Sequence, residues 1–167
     1  RDATLPALTV AGGGGSGVGL SAVSFDGRFV AFVSDGPVAP TGDVNGLRNV
    51  FVRDLFLRTN YLVSAATNGF GGNGHSIQPV ISGDGRYVAF TSYANNLVAG
   101  DTNNFADVFL CDLQTGTRSL VSVKTNANAS GDSQLPLISA DGRYVIFRSA
   151  ARNLTTTPTT GENLFQR

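Results

Sequence analysis

The sequence predicts an all-β protein, a β-propeller of four-stranded antiparallel blades, with three blades' worth of strands in 167 residues. Three observations predict it. A nine-residue segment occurs three times: Ser24-Phe25-Asp26-Gly27-Arg28-Phe29-Val30-Ala31-Phe32, then Ser82-Gly83-Asp84-Gly85-Arg86-Tyr87-Val88-Ala89-Phe90, then Ser139-Ala140-Asp141-Gly142-Arg143-Tyr144-Val145-Ile146-Phe147. The Asp-Gly pairs stand 58 and then 57 residues apart, a fixed internal period. Each period holds four short strand-like runs, and no stretch shows a helical period of useful length. A repeat of this kind is what a propeller blade produces, a small sheet packed against neighbours on both faces.

The middle repeat gives the elements in order. Ser76 to Ser82 is a short apolar run, and Gly83-Asp84-Gly85 is read as supplying the positive φ angles of a tight hairpin. Arg86 to Ser92 returns. Tyr87 and Ala89 point to one face and Val88 and Phe90 to the other, so both faces of this strand are expected to be covered. A polar loop, Asn95 to Asn104, leads to a third run, Asp107 to Leu113; Gln114-Thr115-Gly116 turns the chain into a fourth, Thr117 to Val123. The chain reads as one propeller domain, 1–167, with repeats at about 11–68, 69–126 and 127–167, and residues 1–10 supplying a closing strand.

Composition bounds the partners. With 41% hydrophobic residues the chain is long enough to bury a core. Formal net charge is zero, and neither a basic stripe nor an acidic run is present, so no nucleic-acid partner is expected. No apolar run reaches the roughly 18 residues of a membrane span, and none is expected. Cys111 is the only cysteine and reads as a small hydrophobe in an apolar strand. The 21 Gly and 6 Pro, with abundant Ser, Thr and Asn between apolar runs, suit short strands joined by turns.

The Ser-x-Asp-Gly-Arg-x-Val-Ala-Phe core resembles the TolB-like, WD40-like propeller repeats of bacterial proteins. Ser76-x-x-Pro79 and Ser133-x-x-Pro136 before the hairpin extend the match, as do Asn96-Leu97 and Asn153-Leu154 after it. So does Asn49-Val50-Phe51-Val52-Arg53-Asp54 against Asp107-Val108-Phe109-Leu110-Cys111-Asp112. The resemblance covers essentially the whole chain. It implies docking surfaces in periplasmic assembly proteins, peptidase-associated domains or secreted proteins, and hence a secreted or periplasmic setting. The first repeat departs in having Ser21 in place of Pro; the third replaces the polar loop with Thr155 to Thr160.

The two ends are complementary. Arg1-Asp2 matches Arg53-Asp54 and heads a fourth-strand segment, Leu5 to Val10; Asn163 to Arg167 matches the third strand Asn49 to Arg53 and has no fourth strand after it. The sequence holds no Met and opens on Arg1, which reads as a processed or excised piece or part of something longer. Three blades do not close a ring, so a homodimer is expected, the tail of each chain pairing with the head of the other to give six blades. Missing blades in the same polypeptide are the alternative.

Two sets of residues are candidates for chemistry. Asp101, Asn103 and Asp107, echoed in Asp43, Asn45 and Asn49, place hard oxygens at the alternating spacing that begins a calcium loop. Side-chain-to-backbone turn chemistry is the competing reading, and the bidentate Glu that completes an EF-hand loop is missing. His75, the single histidine, occupies the position of Asp132 in the next repeat, in the loop leading to the innermost strand. With Ser76, Gln78, Asp132, Ser133 and Gln134 it is expected to line the channel mouth. The expected function is a non-enzymatic binding or scaffold module that takes a peptide, protein or glycan there. A hydrolase or lyase using carboxylates at the mouth is the alternative, and a self-assembling propeller fragment is the third. The thrice-repeated Asp-Gly-Arg is expected to be structural, its Arg pairing with Asp54 or Asp112.

Overall fold

A computed structural model describes residues 19–38, 45–124, 127–156 and 158–167. The expected closing strand Leu5 to Val10 and the candidate ligand Asp43 lie outside these residues. The first blade is β1 (Gly19–Val23), β2 (Phe29–Ser34), β3 (Asn49–Asp54) and β4 (Thr59–Leu62), hydrogen-bonded in that order. The second is β5 (Ser76–Ile81), β6 (Tyr87–Ser92), β7 (Asp107–Asp112) and β8 (Thr117–Leu120), also in order and antiparallel throughout. A short antiparallel pair, β9 (Val123–Lys124) with β10 (Ala127–Asn128), follows the second blade. The third blade comprises β11 (Ser133–Ile138), β12 (Val145–Ser149) and β13 (Asn163–Gln166).

Each blade carries the same Phe pair. Phe32 faces Phe51, Phe90 faces Phe109 and Phe147 faces Phe165 across adjacent strands, with ring centroids 5.7, 5.8 and 5.7 Å apart. Cross-strand aromatic pairs of this kind hold register as well as area. The core lies between blades. Ala31, Val33, Val50 and Val52 of the first meet Val88, Phe90, Phe109 and Cys111 of the second. Ala89 and Val108, on the second blade's other face, meet Val145 and Phe147 of the third. The strand expected to be covered on both faces is therefore covered on both, by different neighbours.

The repeated hairpin is a hydrogen-bonded unit. The Ser82 hydroxyl donates to the Asp84 carboxylate and accepts from the Tyr87 amide, and the Arg86 amide donates to the same carboxylate. The other two copies repeat these bonds. Only Gly85 of the Gly83-Asp84-Gly85 segment has a positive φ, +75°, which corrects the expectation of several; the four-residue loop needs one left-handed residue after its turn. Arg86 then reaches Asp112 through Nε at 3.1 Å and Nη2 at 2.7 Å, as Arg28 reaches Asp54 through both nitrogens. The structural pairing expected of the repeated Arg is present in two blades. The fourth strand stops at Leu120 instead of Val123 because the Ser122 hydroxyl takes the Val108 amide that a further ladder rung would use, and Ser64 does the same to Val50.

The hairpins also touch one another. The Phe25 amide donates to the Gly83 carbonyl at 2.8 Å, and the Gly83 amide donates to the Ala140 carbonyl at 2.8 Å. The Phe29 ring lies on Gly85 and the Tyr87 ring on Gly142, 2.3 Å from where a Cβ would stand. Gly85→Ala therefore meets both a left-handed backbone and a ring, while Gly116→Ala, at φ +72° with open space, meets only the backbone. We expect Gly116→Ala to cost about 1 kcal/mol and Gly85→Ala about 1–3 kcal/mol more in urea unfolding. Equal losses would show that the ring contact contributes nothing.

Candidate functional site at the mouth of the inner strands

The first strand of each blade lies beside the first strand of the next. All three are irregular at the same place, with a register shift between Gly19 and Ala22, Ile77 and Val80, and Gln134 and Leu137. In the second and third blades the bulged residue, Gln78 or Leu135, has φ +56° and precedes a buried Pro. A left-handed residue in a bulge re-aims its side chain out of the alternating pattern, and an innermost strand tolerates Pro because one of its edges has no partner strand. The Gln78 carbonyl oxygen accepts from the Thr91 hydroxyl at 2.9 Å and from the Leu135 amide at 3.2 Å, joining the second blade to the third. Gln134 donates to the hydroxyl of Tyr93, a side chain about half exposed.

The other candidate mouth residues separate into two roles. His75 and Asp132, equivalent in sequence, are equivalent in structure: the Arg48 amide donates to His75 Nδ1 at 3.0 Å, and the Ala106 amide donates to Asp132 Oδ1 at 2.9 Å. Each ties its own blade to the loop of the blade before, and each remains exposed. Ser76 and Ser133 are buried, their hydroxyls paired with Ser92 at 2.8 Å and Ser149 at 2.7 Å. Solvent therefore reaches His75, Gln78, Asp132 and Gln134 of the expected set, and it also reaches Tyr93 and Leu135, which the sequence reading missed. Nothing in one sequence marks Tyr93, since its position in the next repeat holds Ala150; the bulge that exposes Leu135 has no residue signature beyond the following Pro.

Asp101, Asn103 and Asp107 come together under the loop that precedes β7. Asp107 is fully buried; its oxygens accept from the Ser122 hydroxyl at 2.6 Å and the Asn103 amide nitrogen at 2.8 Å. Asn103 Oδ1 is taken by the Phe105 amide, while Oδ1 of the buried Asp101 has no hydrogen-bond partner. Burial pushes the Asp107 carboxyl up to about 6, against the hydrogen bonds from Ser122 and Asn103, and burial also raises Asp101. In the first repeat Asn49 fills the place of Asp107: its carbonyl accepts from Ser64 at 2.9 Å and its amide donates to Asn45 Oδ1 at 3.1 Å. Asn45 in turn donates to the Gly72 carbonyl, as Asn103 does to Ala129.

A second recess, a cleft of about 340 Å³ between the hairpin rims of the first two blades, is lined by Arg28, Asp54, Tyr61, Asp84, Arg86 and Gln114 among others. Its charges are used internally, in Arg28–Asp54, Arg86–Asp112 and Ser82–Asp84. The Arg86 guanidinium holds the Asp112 carboxyl down at about 2. Cys111 is buried, and burial pushes its thiol up to about 11, consistent with the inert hydrophobe expected of it.

The Asp107 shift has a defined consequence. Its folded pKa lies above the ordinary 3.8, so the folded state holds the proton more tightly; that contribution is complete below about pH 4 and is lost as pH rises to about 6. Asp107→Asn, whose contacts Asn49 already exemplifies, removes this loss. We expect the variant to gain on the unmodified chain, by on the order of 2 kcal/mol, as pH rises from 4 to 7. Chemical denaturation at a series of pH values checks it, and parallel curves for the two proteins would refute it.

No family model matches this chain, and no curated protein is detectably similar to it in sequence. Solved structures are similar in fold. TolB from Acinetobacter baumannii superposes over 90% of this chain and 29% of its own, with a TM-score of 0.52 at 18% identity. A putative TolB from Agrobacterium tumefaciens matches over 92% of this chain and 46% of its own, with a TM-score of 0.56 at 14% identity. The tricorn protease matches over 89% of this chain and 12% of its own, with a TM-score of 0.52 at 16% identity. The chain thus spans less than half the length of each of these structures. In fold, it is a TolB-like β-propeller.

Proposed function

We propose that the chain is a non-enzymatic binding module that takes a peptide, protein or glycan segment at the mouth formed by Gln78, Tyr93, Gln134 and Leu135, with His75 and Asp132 at its rim. One observation carries the reading. The solvent-facing groups of the mouth are amides, a phenol and an apolar side chain, and the exposed His75 and Asp132 of the rim each accept a backbone amide of the preceding blade, whereas the carboxylates with raised pKa, Asp101 and Asp107, are buried under the loop. Amide and aromatic groups on a rigid scaffold recognise extended segments through hydrogen bonds and stacking. Acid–base catalysis instead needs its titrating carboxylate within reach of substrate. A secreted or periplasmic setting belongs to this same proposal, by way of the family resemblance.

Screening the chain against a glycan array and a peptide library tests it. Tyr93→Ala and Gln134→Ala, which leave the cores untouched, are expected to weaken any bound probe at least about tenfold, as losing a central aromatic or amide contact does. Binding unaffected by either variant, or turnover of a bound glycan or peptide, would refute the reading.

We propose calcium at the loop of Asp101, Asn103 and Asp107, echoed by Asn45 and Asp43, because among the described residues of these loops Asp101 Oδ1 is buried without a partner. If a cation sits there, adding calcium raises the melting temperature of the chelator-treated protein and Asp101→Asn abolishes the rise. No rise assigns the loop to turn chemistry alone.

A further inference from the structure

The contact between blades has a direction. At each junction the aromatic residue after the hairpin Arg lies on the hairpin Gly of the next blade, Phe29 on Gly85 and Tyr87 on Gly142. At each junction, too, a backbone amide donates forward, Phe25 to Gly83 and Gly83 to Ala140. The series leaves one half of the contact on the third blade and the other half on the first. Tyr144 is 46% exposed, and the Ala140 amide has no acceptor among the described residues; Gly27 has open space above it, and the Phe25 carbonyl receives no donor among the described residues.

The sheet faces say the same. Ala89 and Val108 are completely buried beneath the third blade; their counterparts on that blade, Ile146 and Leu164, are 38% and 76% exposed. On the opposite side, Val88 and Phe90 are sealed by the first blade, whereas the first blade's own Val30 and Phe32 are only half-buried. Both open faces belong to an interface that this chain already forms twice.

We propose that a second copy of this chain seats its first blade on the third blade of its partner, and by two-fold symmetry the reverse, closing a ring of six blades. Tyr144 then lies on Gly27 of the second copy, and the Ala140 amide donates to that copy's Phe25 carbonyl. A second copy is favoured over an unrelated partner because both halves of a self-complementary contact lie on one chain, and a two-fold arrangement uses both and leaves none to propagate.

Light scattering on the eluting protein tests this. The chain is 17.3 kDa, and twice that mass is expected across a dilution series. Leu164→Asp and Ile146→Arg alter side chains already exposed in the single chain, so each is expected to give a monomer whose circular dichroism stays that of a β-protein. Tyr144→Ala, which removes the ring that lies on Gly27 of the second copy, weakens the dimer about tenfold, two ring contacts being lost per assembly. A monomer at every concentration, an open-ended polymer, or a dimer indifferent to Leu164→Asp and Ile146→Arg overturns the proposal. A dimer that those two changes abolish while Tyr144→Ala leaves it intact overturns the head-to-tail register.

Discussion

The contact on which the rest depends is made by the hairpin Ser-x-Asp-Gly-Arg-aromatic, because it acts within a blade and between blades at once. Inside the blade, Arg86 clamps the end of β7 through Asp112, and the Ser82–Asp84 pair holds the turn that aims it. Between blades, Tyr87, the next residue, lies on Gly142 of the neighbour, and the backbone joins Phe25 to Gly83 to Ala140. Arg86 lies 4.8 Å from the Tyr87 ring centroid, so the cation and the ring that covers the next Gly stiffen each other. A propeller blade has no single core of its own: its apolar side chains point both ways, and burial exists only where a neighbour stands. The hairpin sets the distance and angle at which that neighbour stands.

The buried polar residues follow from the same geometry. The position held by Asn49 and Asp107 sits at the start of the third strand, beneath the loop that connects to the next blade. Its neighbours are a Ser hydroxyl from the end of the fourth strand and an Asn side chain that itself reaches a carbonyl of the next blade. A neutral amide satisfies this arrangement at no electrostatic cost. A carboxylate satisfies it by accepting both donors and resists ionisation, because burial and the nearby carboxylates of Asp101 and Asp132 disfavour its charge. The contrast with Asp112 is direct: that carboxylate faces Arg86, remains partly open to solvent and is held ionised.

The strands, their order and the Arg–carboxylate pairing were legible in the sequence because they recur, and recurrence separates a signal from the scatter of individual residues. The equivalence of His75 with Asp132 was legible for the same reason, although the work the two do, receiving an amide from the preceding blade, was not. The fourth strand was read three residues too long because Leu120-Val121 looks like its centre, whereas a serine hydroxyl at Ser122 ends the ladder. The burial of Ser76 and Ser133 was hidden too. A Ser–Ser pair across adjacent strands, as at Ser76 and Ser92, leaves no trace until the register is known.

Repetition also separates scaffold from surface. Where two repeats share a backbone conformation and a residue type, the residue is explained by the blade; where they share the conformation and differ in residue, the blade does not choose. Gln78 and Leu135 have the same φ in the same bulge, one an amide and one an apolar side chain. Tyr93 and Ala150 occupy one repeat position, as do Ile77 and Gln134. These three pairs lie in the bulges of the inner strands or beside them. The bulge is imposed by blade geometry, since Leu135 adopts it without the hydrogen bonds that Gln78 makes. A backbone that presents the bulged side chain of the second and the third blade in one conformation, without specifying which residue stands there, supplies positions for recognition.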